Sequence, residues 1–337
     1  MPRARRFYSI YEYLQAQLHF VFNFLYSILS LLKVLIKNIK IALYSRFIFN
    51  NAFSLLFNKV LIELGHNARL KAGINNCIIE LNAKVLNDIV RYFVRGAFKS
   101  MKCIEGKIYI NDVEAGDINK LFSQPELLAL VLGWRYDADC NCWWKDGVKF
   151  RFMHNLILET FDLNVYGSVY VKDKIVVDIG SFVGDTPQYF ALKGAKSIIA
   201  LEPHPEAFNV MIENIKLNNL QDRIIPINAA LASRQGKVCI NEKINIEHTW
   251  HSYYGFGLEE CRRSIPAITL KELTAKYNLH DAVLKMNCEG CEHDIILNSY
   301  EDLLKFKEII FEYHGNPIKL LLKLSHNYRC KVVASAL

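Results

Sequence analysis

From residue 174 onward, apolar runs ending in small or acidic residues alternate with helix-length stretches, and few folds accept that pattern. Ile175-Val176-Val177-Asp178-Ile179-Gly180 reads as a buried parallel strand ending in Asp and Gly. Gly180 and Gly184 flank a short loop, Thr186 and Pro187 suit the opening of a helix through Leu192, and Gly194 closes it. Ser197-Ile198-Ile199-Ala200-Leu201 is a second strand, followed by Glu202-Pro203. The expectation is an α/β fold: a doubly wound, mostly parallel Rossmann-like sheet with right-handed crossovers and its ligand at the strand C-termini. Expected strands are 175–180, 197–202, 224–229, 282–288, 308–313 and 329–334.

The first strand–loop–helix unit narrows the ligand. Glycines let backbone approach a ligand, and an acidic residue at the next strand end can grip a ribose diol. Gly180-x-x-x-Gly184 lacks the third glycine of a dinucleotide fingerprint, which disfavours a dehydrogenase. A pyrophosphate needs a dense nest of backbone amides; S-adenosylmethionine has no pyrophosphate and tolerates a looser loop. Paired with Glu202, the loop therefore points to S-adenosylmethionine as cofactor, against a plain reading of both glycines as turn residues.

Several ordered motifs then agree with a known family. Val177-Asp178-Ile179-Gly180-Ser181-Phe182-Val183-Gly184-Asp185-Thr186 resembles the first motif of FkbM-type methyltransferases, and Leu201-Glu202-Pro203-His204-Pro205 resembles their second strand end. Asn214-Ile215-Lys216-Leu217-Asn218 resembles the family's N-x-x-x-N helix, and Asn228-Ala229-Ala230-Leu231 its next strand. Thr269-Leu270, Lys285-Met286-Asn287-Cys288-Glu289-Gly290-Cys291-Glu292 and Glu312-Tyr313-His314 resemble its remaining signatures. The resemblance runs over about residues 145–335 and implies a class I S-adenosylmethionine-dependent methyltransferase, usually acting on hydroxyls of sugars or other metabolites.

By this resemblance Asp178, Gly180 and Gly184 border the methionine end of the cofactor, with Ser181, Asp185 and Thr186 on the same loop. Glu202 takes the ribose hydroxyls, His204 follows on the adenosine side, and Asn228 and Ala229 sit near the adenine. Glu289 and the loop to Glu292 face the transferring methyl. Asn287 stands where the family usually has Asp, and the chain stops soon after Val333, so the closing hairpin of such a sheet is missing or supplied differently. A hydroxyl acceptor benefits from a general base, and the candidates at strand ends are Glu289, Glu292, Glu312 and His314. For His314 a hydrogen-bonded structural histidine competes with this role, and for Glu292 a carboxylate favoured by a helix N-terminus.

Charge divides the chain. Residues 1–110 carry 16 Lys and Arg against 5 Asp and Glu, a net +11, whereas residues 111–337 carry 25 against 29, a net −4. We therefore read 1–110 as a basic, mainly helical extension, 111–173 as an α+β lead-in and 174–337 as the methyltransferase domain. An acidic catalytic half without an Asn-Pro-Pro-Tyr or Asp-Pro-Pro-Tyr loop does not suit a nucleic-acid substrate. The expected acceptor is a small molecule, glycan or lipid-linked sugar; Trp250, His251, Tyr253 and Tyr254 suit stacking on it or equally a plain surface loop. A catalytically silent scaffold is the competing class, favoured by Asn287.

Residues 12–44 have apolar positions in alternating steps of three and four. Three readings stay open: a helix lying in a membrane interface, one packed on its own domain or a partner, and a spanning helix. The localisation expected is cytoplasmic, with peripheral membrane contact under the first reading. Nine cysteines, an odd number spread over 337 residues, do not read as a secreted disulfide scaffold. Most are expected reduced and buried, and no metal is expected at Cys140-x-Cys142 or Cys288-x-x-Cys291. The sequence sets no oligomeric state.

Overall fold

The computed structural model describes residues 38–63, 65–240, 254–255 and 263–331. Five parallel strands form the central sheet: β1 (Ile175–Ile179), β2 (Ser197–Leu201), β3 (Ile224–Ile227), β4 (Ala282–Met286) and β5 (Phe306–Phe311). Their spatial order is β3-β2-β1-β4-β5, so the chain reverses its winding between β1 and β4. That switch point opens a crevice at the C-terminal ends, where doubly wound sheets bind ligands. The expected sixth strand at 329–334 is not formed at Arg329–Lys331, and its remainder lies outside the described residues.

Alternating strand residues face two apolar layers, as a sheet buried on both sides requires. Val176, Ile198 and Ala200 pack with Tyr189, Phe190, Met211 and Ile215 of α1 (Asp185–Leu192) and α2 (Pro205–Leu217). Val177, Ile179, Ile199 and Leu284 pack on the other face with α3 (Leu270–Lys276), α4 (Cys291–Asn298) and α5 (Ile318–Leu324). Thr269 and Glu272 form a reciprocal capping box that starts α3. A small second sheet, built from 230–231, 236–240, 254–255 and 263–268, follows β3.

The part before residue 174 has its own core, which runs from Ile41 through Leu86, Trp134 and Phe150 to Leu163. It crosses residue 110, so the basic extension and the lead-in pack as one. Helices at 38–45, Ala52–Glu63 and Ala83–Val94 accompany the hairpins Leu70–Ile74/Cys77–Leu81 and Met101–Ile104/Lys107–Ile110. Pro125–Val131 is a helix with Pro at its first turn, and Cys142–Lys145 and Val148–Phe150 form an antiparallel hairpin. The asparagines of the N-x-x-x-N helix join the two parts. Asn214 lies on α2 and Asn218 caps it one turn later, so they face the same backbone: Asn214 Oδ1 accepts from Arg151 N at 2.9 Å, and Asn218 accepts from and donates to Lys149 at 2.8 and 2.7 Å.

One expectation changes here. The cysteines are largely paired: Cys77 with Cys103, Cys140 with Cys142 and Cys288 with Cys291, and Cys239 is also bonded. The hairpins and one short loop bring these Cα atoms to 6.0, 5.2 and 5.5 Å, inside disulfide range, which spacing along the chain does not reveal. Among the described residues Cys330 is free and exposed. No described helix is long and apolar enough to cross a membrane. Most of the 12–44 segment, and Trp250 through Tyr253, lie outside the described residues.

Candidate functional site

Asp178 is the pivot of the site. It is fully buried in β1, where its carboxylate accepts from Thr186 Oγ1 and lies 2.8 Å from Lys285 Nζ on neighbouring β4. Burial pushes its carboxyl above the usual range, and Lys285 pulls the other way. The same ammonium donates to Gly180 O at 2.8 Å, so one buried lysine ties strand, counter-charge and loop together. Lys285 is not among the site residues expected from sequence. Its signal is nonetheless present: a lone cation in the apolar run Ala282–Met286 must find a buried partner.

The loop after β1 approaches the β4 loop too closely for any side chain. Gly180 has φ +72°, and a Cβ there would lie 1.8 Å from Asn287 O. Gly184, at φ +86°, starts α1, and Ser181 Oγ donates to Asp178 O at 2.9 Å to close the turn. Asp185 is buried against Thr160 Oγ1 at 2.7 Å, and desolvation lifts its carboxyl to about 6. Of the residues expected at the methionine end, Ser181, Asp185 and Thr186 thus spend their side chains within the protein.

At the end of β2, Glu202 holds two backbone amides, Phe182 N and His204 N, both at 2.7 Å. Burial pushes its carboxyl up to about 7 despite those bonds. Each oxygen keeps a second lone pair. Asn228 Nδ2 donates to Glu202 O at 2.8 Å and Pro203 O at 3.1 Å, fixing the turn, and Ala229 is buried beside it. His204 is buried, and desolvation lowers its pKa, keeping it neutral. Its Nδ1 has no partner, and neither does the buried Oδ1 of Asn287. Two such atoms on the crevice edge fit a polar ligand, since buried polar atoms are rarely left unpaired.

Across the switch point, three of the four candidate bases meet. Glu292, fully buried, accepts from Gly290 N at 3.0 Å and His314 N at 2.8 Å. His314 Nδ1 lies 3.2 Å from Glu292 Oε1, and its Nε2 lies 3.3 Å from Glu289 Oε2. The three form a carboxylate–imidazole–carboxylate line. Glu312 is exposed at the same strand end, and its amide donates to Met286 O at 3.0 Å. Among the described residues no group of three or more His, Cys, Asp or Glu side chains is arranged to hold a metal ion.

The span 178–329 matches the model of the methyltransferase FkbM domain. Residues 178–329, just under half of the chain, form a methyltransferase domain of the FkbM type. Among curated relatives, 61 residues are 38% identical to ribosomal protein L11 methyltransferase of Geobacter sp. (strain M21), covering 18% of this chain and 20% of that protein. Another 135-residue match is 31% identical to tRNA (guanine(37)-N(1))-methyltransferase of Methanocaldococcus jannaschii, covering 40% and 35%. The chain thus spans about a fifth to a third of the length of these relatives. A solved FkbM methyltransferase from Methylobacillus flagellatus KT is 12% identical, with a TM-score of 0.34 over 73% of this chain and 49% of that one.

Proposed function

We propose that the protein transfers a methyl group from S-adenosylmethionine to a hydroxyl of a sugar, glycan or lipid-linked acceptor. The FkbM-type domain supports the reaction class, and the Glu289–His314–Glu292 line supports an acceptor that must lose a proton. The cofactor fits the crevice edge: Glu202 has lone pairs for ribose hydroxyls, and His204 Nδ1 and Asn287 Oδ1 are buried without partners. When bound, it supplies an electrophilic sulfonium methyl that needs chiefly alignment with its acceptor.

The protein's own groups then handle the proton. Glu292 accepts from His314 Nδ1–H and from the His314 amide, which fixes the ring and its tautomer. Nε2 is left as the acceptor, with Glu289 Oε2 beside it to share the incoming proton. Asn287, where the family resemblance leads one to expect Asp, adds no charge and offers a carbonyl oxygen.

The test is transfer of labelled methyl from S-adenosylmethionine to hydroxylated acceptors, with Glu289→Gln and His314→Gln alongside. Loss of roughly 10²–10⁴-fold in rate with cofactor binding retained supports the assignment. Full transfer by both variants contradicts it. Methylation of RNA is a second reading, favoured by the 31% identity to a tRNA methyltransferase, so a tRNA pool belongs in the same screen.

A further inference from the structure

The loop that presents Glu289 is closed by a covalent bond. Cys288 follows β4 by two residues and is buried; Cys291 is the first residue of α4 and half-buried. Their sulfurs are bonded, with Cα atoms 5.5 Å apart. The crosslink encloses two residues, Glu289 at φ +53° and Gly290 at φ +113°. Both are left-handed, a region that glycine adopts freely and glutamate does not. A link across so short a loop removes most of its other backbone conformations.

The buried carboxylate next door adds a second effect. Cys288 Sγ lies 3.8 Å from Glu292 Oε2, the oxygen that holds the Gly290 amide. A disulfide sulfur has no proton to donate, whereas a thiol has one. Reduction therefore gives Glu292 a donor that competes with Gly290 N–H, just as the backbone holding Glu289 is released.

We propose that the Cys288–Cys291 disulfide is the positioning element of the proton-accepting pair. It holds Glu289 against His314, and reduction by a dithiol disengages the two. This rests on the reading of that pair as the base. In the reduction, a thiolate of the dithiol attacks Cys291 Sγ, the more accessible sulfur. The S–S bond breaks, and its electron pair leaves on Cys288 Sγ, which takes a proton. The second thiol of the reagent then closes a cyclic disulfide and expels Cys291 Sγ, which is protonated in turn. The reagent loses two electrons and two protons, and the protein gains them.

The experiment uses the full-length, isotope-labelled chain with and without dithiothreitol, and iodoacetamide labelling to report which thiols are free. Reduction is expected to move the His314 Nε2 resonance and to speed amide exchange at Glu289–Cys291 by about tenfold or more. The Cys288→Ser/Cys291→Ser variant should show the reduced-type resonance with no reagent and ignore dithiothreitol. A Cys77→Ser/Cys103→Ser variant should keep the full response. An unmoved His314 resonance with both loop thiols free overturns the proposal, as does an oxidised-type spectrum in the first variant or a lost response in the second. Calorimetric binding of S-adenosylhomocysteine by the same samples reports separately on the methyltransferase reading.

Discussion

Replacing Lys285 with Met tests the pivot of the site. Both ends of the Lys285–Asp178 pair are buried, at 3% and 0% side-chain exposure, so solvent screens little of their attraction. At 2.8 Å that attraction is worth about 6 kcal/mol with an effective dielectric of about 20. The net loss is smaller, because a stranded Asp178 takes up a proton rather than stay charged. Removing one partner of a buried pair typically costs about 3–5 kcal/mol, a large fraction of a domain's stability. Gly180 O also loses its donor. Urea unfolding followed by fluorescence and circular dichroism measures the loss. Without the lysine, burial acts on Asp178 against only the Thr186 hydrogen bond and holds its folded-state pKa high. The loss therefore grows as pH rises through that raised pKa. Adding Asp178→Asn should recover about 2 kcal/mol, because an amide strands no charge. A loss under about 1 kcal/mol, or strictly additive single variants, would refute the coupling.

Other outcomes follow from the same geometry. Glu202, raised from its ordinary 4.5 to about 7, holds a proton in the folded chain that the unfolded chain releases. Its contribution, about 3 kcal/mol, is fully present below its unfolded pKa and lost as pH rises through about 7; Glu202→Gln should flatten stability across that window in a pH series of melts. Gly180→Ala should cost about 3 kcal/mol or more in chemical denaturation, because its Cβ would meet Asn287 O and its φ is positive. Asn218→Ala should cost about 1–3 kcal/mol by leaving Lys149 N and O without their side-chain partner, and should speed proteolysis near residue 149.

Much of the sheet was legible because its signal is local. Each strand is a short apolar run, and the five observed strands start within two residues of expectation. Strand ends read one or two residues too long, since the residues after Ile179, Leu201 and Met286 turn away to form loops. The meeting of three candidate bases was legible, the contacts of the loop residues less so. Glu289, Glu292 and His314 do converge, because β4 and β5 are neighbours. Asp185 and Thr186 sit on the expected loop, yet their side chains turn inward, a choice made by Thr160 and Asp178 from elsewhere in the chain. The cysteine pairs were hidden for the same reason: Cys77 and Cys103 meet only when two separate hairpins pack.

Cofactor use at the β1–β2 edge is read by calorimetric titration. S-adenosylmethionine and S-adenosylhomocysteine are titrated into the full chain and into Glu202→Ala. The expected result is saturable binding that the variant weakens by about tenfold or more, the effect of losing charge-assisted hydrogen bonds. No binding by a folded chain contradicts the account and leaves a fold without its chemistry.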